Sequence, residues 1–397
     1  MRAMTLPHRL AMAACCTASV AAAAVAGPIH IETTSIVQRD GSLAEDASVT
    51  LRGGRIAAIA EEAPGRAEVH LYPEGSVLSP GLIDLGSTLG VGNEHRATAG
   101  PIDPDGSVIQ AFDPYDDGLA EALEAGITSL MLTPAPNGVV RGRTATVSTL
   151  SGRDPLVTEG AHLLVVGEPA TDTLYGPTSR AGGLFELRTA LGDAAAGRSD
   201  SVAITELVAG EREAVVVAPE ADDAALALQT LFGTRMFGFT VLTLNGTLEF
   251  SMNLREYGVG NGDVGFVTGP YSLDDAPDHL AGAGGLERAG VSVALRGGTG
   301  TSPASALRTT AALATRYGMT QNAARRAITV EPARIAGVAD RLGSIEEGKT
   351  ADLVVFSADP LRLDARVLAV YIDGELVFGG PGEHSVTAST AQNGGSR

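Results

Sequence analysis

The chain has no tryptophan, only two cysteines and a single lysine. Both cysteines, Cys15 and Cys16, fall within the first 26 residues, where Arg2, His8 and Arg9 precede an Ala-rich apolar stretch ending Ala24-Val25-Ala26. Positive residues, an apolar core and small residues at the end form a secretory signal pattern. Cleavage is expected near Ala26, with the mature chain periplasmic or secreted. Met12 lies three residues before Cys15, so lipid attachment at Cys15 or Cys16 stays open. Beyond the signal there is no cysteine, which excludes disulfides and thiolate metal sites. Lys349 is the lone lysine, so lysine chemistry is excluded everywhere else. No later stretch reaches spanning length without a charge, glycine or proline, and no membrane span is expected. Positive charge is scarce: 28 Lys and Arg against 47 Asp and Glu give a formal net charge of −19, which becomes −21 once Arg2 and Arg9 are removed with the signal. Such a surface repels nucleic acid and anionic lipid, so neither is an expected partner.

What is present is a large apolar core divided by strand and helix patterns. Hydrophobic residues make up 44% of the chain, and the roughly 370 residues after the signal suffice for one large domain with a small one. Residues 28–78 run in short strand-like segments, Ile29 to Ile36, Ala47 to Arg52, Arg55 to Ala60 and Ser76 to Leu78, with Gly53-Gly54 as a hairpin turn. Ala351 to Phe356, Val367 to Ile372 and Glu375 to Phe378 behave likewise, the last two joined across Asp373-Gly374. Between these ends, apolar runs alternate with helical patterns, as in a βα-repeat barrel. Ile127 to Leu132, His162 to Val166, Ala214 to Val217, Thr240 to Leu244, Val264 to Val267 and Val291 to Leu295 are its strand candidates, with Asp116 to Ala125, Asp222 to Leu231 and Pro303 to Tyr317 among its helices. The expected fold is α/β, a TIM-like (β/α)8 barrel plus a small β-sandwich formed by both termini. Its divisions are a signal over 1–26, a composite sandwich over 27–78 and 343–380, a barrel over 79–342 and a disordered tail over 381–397.

Pro80-Gly81-Leu82-Ile83-Asp84 reads as a tight turn into a buried strand, and it resembles the first barrel strand of the amidohydrolase superfamily. Ala311 to Met319, Ala327 to Ala333 and Leu342 to Val355 resemble the C-terminal third of that superfamily. Gly167-Glu168-Pro169, Tyr175-Gly176, Arg180 and Glu220-Ala221-Asp222-Asp223 are similar to its imidazolonepropionase-like branch. The resemblance implies a hydrolase of cyclic amides or peptide-like C–N bonds with zinc or another divalent metal at the C-terminal mouth of the barrel. The metal's ligands would be a first-strand His-x-His, later histidines, sometimes a carboxylated lysine, and an aspartate after the last strand. In this chain the first pair falls on Gly86 and Thr88, the second His-x-His on Val217-Ala218-Pro219, the fifth-strand histidine on Asn245 and the aspartate on Gly298. Lys349 lies in the sandwich segment, too late in the chain for a carboxylated lysine. No metal is therefore expected, and Glu168 and Asp222 stand as the candidate bases of any surviving chemistry.

The other chemistry-bearing residues have plainer readings. His30, His70 and His384 belong to sandwich or tail and His279 to a helical stretch, which leaves His95 and His162 as the histidines within reach of a barrel mouth. Catalytic zinc ordinarily takes three protein ligands. Asp103, Asp105, Asp113, Asp116 and Asp117 could hold calcium, although a solvated loop leading into a helix N-terminus explains them as well. Gly343 to Thr350 satisfies G-x-x-x-x-G-K-[ST], but a strand pattern follows it where a phosphate loop needs a helix, and Glu346 and Glu347 would oppose a polyphosphate. Three functions stay in view: a metal-free homologue acting as a binding or partner subunit, alongside an intact amidohydrolase paralogue or a second copy of itself; an active hydrolase of cyclic amides or dipeptides; and, on the phosphate-loop pattern alone, a nucleotide binder.

Overall fold

The structure, a computed structural model, describes residues 27–45, 47–60, 65, 67–92, 100–171, 176–243, 248–260 and 264–381. The signal, His95, Tyr175, Asn245, His384 and all but the first residue of the tail lie outside the described residues.

Seven short strands open the chain: β1 (Ile29–Glu32), β2 (Ser35–Val37), β3 (Leu43–Glu45), β4 (Ser48–Arg52), β5 (Arg55–Ala60), β6 (Glu68–Leu71) and β7 (Val77–Pro80). Eight more follow: β8 (Leu82–Ser87), β9 (Ile127–Leu132), β10 (Val140–Ser148), β11 (Leu156–Val165), β12 (Ala214–Val217), β13 (Phe239–Leu242), β14 (Val264–Thr268) and β15 (Ser292–Leu295). The last three are β16 (Leu353–Phe356), β17 (Val367–Ile372) and β18 (Glu375–Gly379).

The terminal strands form two sheets, β5-β4-β1-β6 and β18-β17-β16-β7-β2-β3, so the second sheet joins both ends of the chain. Ile31, Val49, Leu51 and Ile56 from one sheet and Leu78, Leu353, Val355 and Tyr371 from the other share one buried apolar cluster. Both hairpin turns have the left-handed backbone that two-residue connections need: φ is 57° and 79° at Gly53 and Gly54, and 50° and 72° at Asp373 and Gly374.

Strands β8 to β15 form an eight-stranded sheet in sequence order, with helices between most of its members. Among these helices are α1 (Gly118–Glu124), α2 (Arg180–Ala195), α3 (Val202–Ala209) and α4 (Ala221–Gly233). All six residues of β8 are buried. Its entry is a passage between sheets. Pro80 closes β7 in the terminal sheet, Gly81 donates its N–H to the Asp352 carbonyl at 2.8 Å, and Leu82 begins the barrel. A Cβ on Gly81 would lie 2.0 Å from the Thr128 hydroxyl, so only glycine lets the chain pass this close to β9.

The barrel departs from a strict βα repeat at β10, which pairs antiparallel with both β9 and β11. No helix stands between β9 and β11. A chain that returns without a crossover must run back antiparallel, and here it does so on both sides of β10. The other adjacent pairs are parallel, so their C-terminal ends gather at one mouth.

Candidate active site at the barrel mouth

The mouth is built from the residues that follow the parallel strands. Gly86 and Ser87 end β8, Val217 ends β12 with Pro219 just beyond it, and Gly298 lies three residues past β15. These sequence-derived positions therefore fall at one end of the sheet. Glu168 opens a short 3-10 turn after β11, and Asp222 lies in the first turn of α4 after β12; both are exposed.

The two edges of the eight-stranded sheet are joined here by Asp84 and Arg296. The fully buried Asp84 carboxylate accepts hydrogen bonds from the backbone N–H of Gly297 at 2.7 Å and of Thr299 at 2.9 Å, and from the Thr299 hydroxyl. The Ser87 hydroxyl donates to the Thr299 carbonyl at 2.7 Å, and Thr88 N–H donates to the same oxygen at 3.2 Å. Arg296 donates from Nη2 to the Gly86 carbonyl at 2.9 Å. The turn after β15 is thus tied to β8 by side chains in place of a strand ladder.

Arg296 defines the electrostatics of this region. Burial lowers its pKa, and the Asp84 charge partly offsets that shift. Its Nε is shielded from solvent and has no hydrogen-bond partner. A Cβ built on Gly86 would lie 3.3 Å from the guanidinium carbon and 2.8 Å from Leu242 Cδ1. The volume that a first-strand side chain would enter therefore already holds a cation and a leucine methyl, and the backbone there has φ 70°.

These residues do not fit a divalent metal. Gly86, Thr88, Val217, Pro219 and Gly298 offer no imidazole, thiolate or carboxylate, and the nearest charged side chain to Gly86 is itself positive. Among the described residues no group of three or more His, Cys, Asp or Glu side chains could hold a metal ion. His162 pairs in register with Ala214, whereas Val165, at the mouth end, pairs with Val217. Three residue steps of about 3.3 Å put His162 roughly 10 Å back from the mouth. Burial lowers its pKa. His30 and His70 lie in the terminal sheets, bonded to Thr50 and Tyr371, and His279 packs edge-on against Tyr271.

Two further motifs have structural roles. A Cβ on Gly167 would lie 2.3 Å from Asp223 Oδ2, so this glycine, at φ 103°, admits the buried carboxylate that Arg180 clasps at 2.9 Å. Burial raises the Asp223 pKa against the opposing pull of Arg180. Asp223, rather than its exposed neighbour Asp222, is thus the carboxylate built into the fold. In the phosphate-loop-like segment, Lys349 Nζ is held by the Ser344 hydroxyl at 2.6 Å and by Glu346 at 2.9 Å, and β16 follows. Three members of the acidic run have structural partners: Asp103 pairs with Arg141, while Asp113 and Asp116 accept the N–H groups of Tyr115 and Gly118.

Sequence reasoning passed over Arg296 and the bonding of Asp84. The available signal was an arginine at the end of the last barrel strand, followed at once by Gly297-Gly298-Thr299-Gly300.

Comparison with known proteins agrees with this architecture. Residues 271–378 match the amidohydrolase family. A 65-residue segment is 42% identical to Amidohydrolase tasK of Hapsidospora irregularis, a match that takes in 16% of this chain and 7% of that protein's length. Among solved structures, an amidohydrolase from Thermotoga maritima MSB8 superposes with a TM-score of 0.74 at 24% identity, covering 88% of this chain and all of that one. A putative prolidase from Bifidobacterium longum gives 0.53 at 17% identity over 90% of this chain and 96% of its own. The family match is thus confined to the C-terminal part of the chain, while the likeness in fold to these solved structures extends over most of it.

Proposed function

We propose that the chain is a catalytically degenerate, metal-independent member of the superfamily. It serves as a binding or partner subunit in the periplasm or outside the cell, beside an intact amidohydrolase or a second copy of itself. The observation that carries this reading is Arg296, whose guanidinium carbon stands 3.3 Å from where a Gly86 side chain would begin. Amide hydrolysis in this superfamily, as the resemblance implies it, needs a Lewis acid and an activated water. The described ligand positions offer neither a hard anionic ligand nor an imidazole. The scaffold residues are kept: Asp84 closes the barrel, Gly167 admits Asp223, and Lys349 locks the turn into β16.

Metal content of the purified mature protein, read with turnover on a panel of dipeptides and cyclic amides, tests the reading. A metal-poor protein with no turnover, co-purifying with another chain or self-associated, is the expected result. Stoichiometric zinc together with chelator-sensitive turnover would instead establish an active hydrolase of C–N bonds.

A further inference from the structure

At the mouth of this barrel a fixed organic cation stands in the space that the superfamily resemblance gives to a metal ligand. One donor of Arg296 is committed to the Gly86 carbonyl, and its Nε has no partner. Asp84 does not relieve it directly. That carboxylate is engaged by Gly297, by Thr299 N–H and by the Thr299 hydroxyl, and no ion pair with Arg296 forms among the described residues. A shielded guanidinium donor without an acceptor is costly, and such groups are ordinarily met by a water or an anion. Asp84 acts on Arg296 only through its field, and the other side chains named at the mouth are neutral. Leu242 lies against the Gly86 position, Thr88 packs at Gly300, and Ser302 packs at Gly298.

We propose that Arg296 makes the barrel mouth a binding site for the carboxylate of a small organic molecule, an inference that rests on the loss of metal chemistry proposed above. The planar guanidinium fork matches a carboxylate in two parallel hydrogen bonds. The hydroxyls of Thr88 and Ser302 supply neutral donors nearby, and Leu242 offers apolar contact to the body of the ligand. The same positive charge repels a divalent cation, so carboxylate binding and metal binding exclude each other at this mouth.

The test is titration of the full mature protein with acetate, benzoate and inorganic phosphate, followed by calorimetry and thermal shift, with zinc titrated in parallel. Saturable binding of benzoate, weaker binding of acetate and no uptake of zinc are expected. Arg296→Met should weaken benzoate at least about tenfold, the scale of a lost charge-assisted hydrogen bond. Arg296→Lys keeps the charge without the fork and should fall between the two; it also serves if the methionine variant does not fold. Equal benzoate affinity in wild type and in either variant overturns the proposal, as does saturable binding of phosphate alone. A protein that is metal-free and inactive yet binds no carboxylate refutes this site while leaving the proposed function standing; stoichiometric zinc refutes both.

Discussion

Asp84 is the residue on which the closure of the barrel depends. Its carboxylate gathers three donors from the turn after β15 and lies in the field of Arg296. Removing it leaves two buried N–H groups unpaired and a guanidinium uncompensated, and breaking a buried charged arrangement costs about 3–5 kcal/mol. Asp84→Ala should lower the unfolding free energy in urea by about that amount, whereas Asp84→Asn, which keeps one carbonyl acceptor, should lose clearly less. A loss below about 1 kcal/mol in the alanine variant would mean that the turn is held by other contacts. The identity of the mouth residues was legible in the sequence: Gly86, Thr88 and Gly298 are neutral whatever their surroundings. That Arg296 comes up against Gly86 was not legible, because nothing in Leu295-Arg296-Gly297 states how near β15 comes to β8 across the barrel. Glu168 and Asp222, the candidate bases, are both exposed, and the buried carboxylate is the residue after Asp222, Asp223.

Among the elements, the strands with continuous apolar or β-branched runs were readable: β9, β12 and β17 span the residues expected of them. Strand β10 was missed because Arg141 and Arg143 interrupt its apolar pattern. The structure neutralises them, Arg141 with Asp103 and the Ala135 carbonyl, Arg143 with Glu159. Comparable pairing ties distant elements together at Arg325. Its guanidinium reaches both oxygens of Asp359, the Gly41 carbonyl between β2 and β3, and Asn322 on its own helix. Arg325→Ala should destabilise by about 3 kcal/mol or more, measured by chemical denaturation, since it leaves a part-buried carboxylate and a carbonyl without their partner.

The turn between β17 and β18 carries a pH dependence. Burial pushes the Asp352 carboxyl up to about 7; the Asp373 N–H that donates to it opposes the shift, and the Asp373 charge adds to it. A carboxyl whose folded pKa exceeds its unfolded value near 3.9 binds protons more tightly when folded. Its contribution to stability is therefore greatest below about pH 4 and declines as pH rises to about 7. Asp352→Asn should abolish this component. The urea midpoint of the variant relative to wild type should rise between about pH 4 and pH 7 and level off above. Glu346 acts with the opposite sign in a lower window: the Ser344 hydroxyl and Lys349 hold it down to about 2, so its stabilisation is lost as pH falls below about 4.

For the whole molecule the governing quantity is charge. A formal −19 makes the folded chain repel itself, and many of the ion pairs that answer it lie at the surface, such as Arg153 with Glu375 and Arg198 with Asp193. Exposed pairs contribute little each, while long-range repulsion is screened within about 8–10 Å at moderate salt. The melting temperature should therefore rise when sodium chloride is increased from about 20 to about 300 mM. A fall would show that the surface pairs outweigh the net repulsion. The architecture itself follows from the order of its patterns, because two β-rich ends around an alternating middle leave few other ways to bury so much apolar surface. No helix among the described residues is long and apolar enough to cross a membrane.

The single lysine, clasped by Ser344 and Glu346, has a consequence for how partners can be sought. Reagents that couple to primary amines will find one hindered ε-amine and the α-amine of the chain. Immobilisation by amine coupling will consequently have few attachment points on this chain. Lysine-directed cross-linking will miss its interfaces almost entirely, so reagents aimed at its abundant carboxylates are the ones suited to trapping a complex.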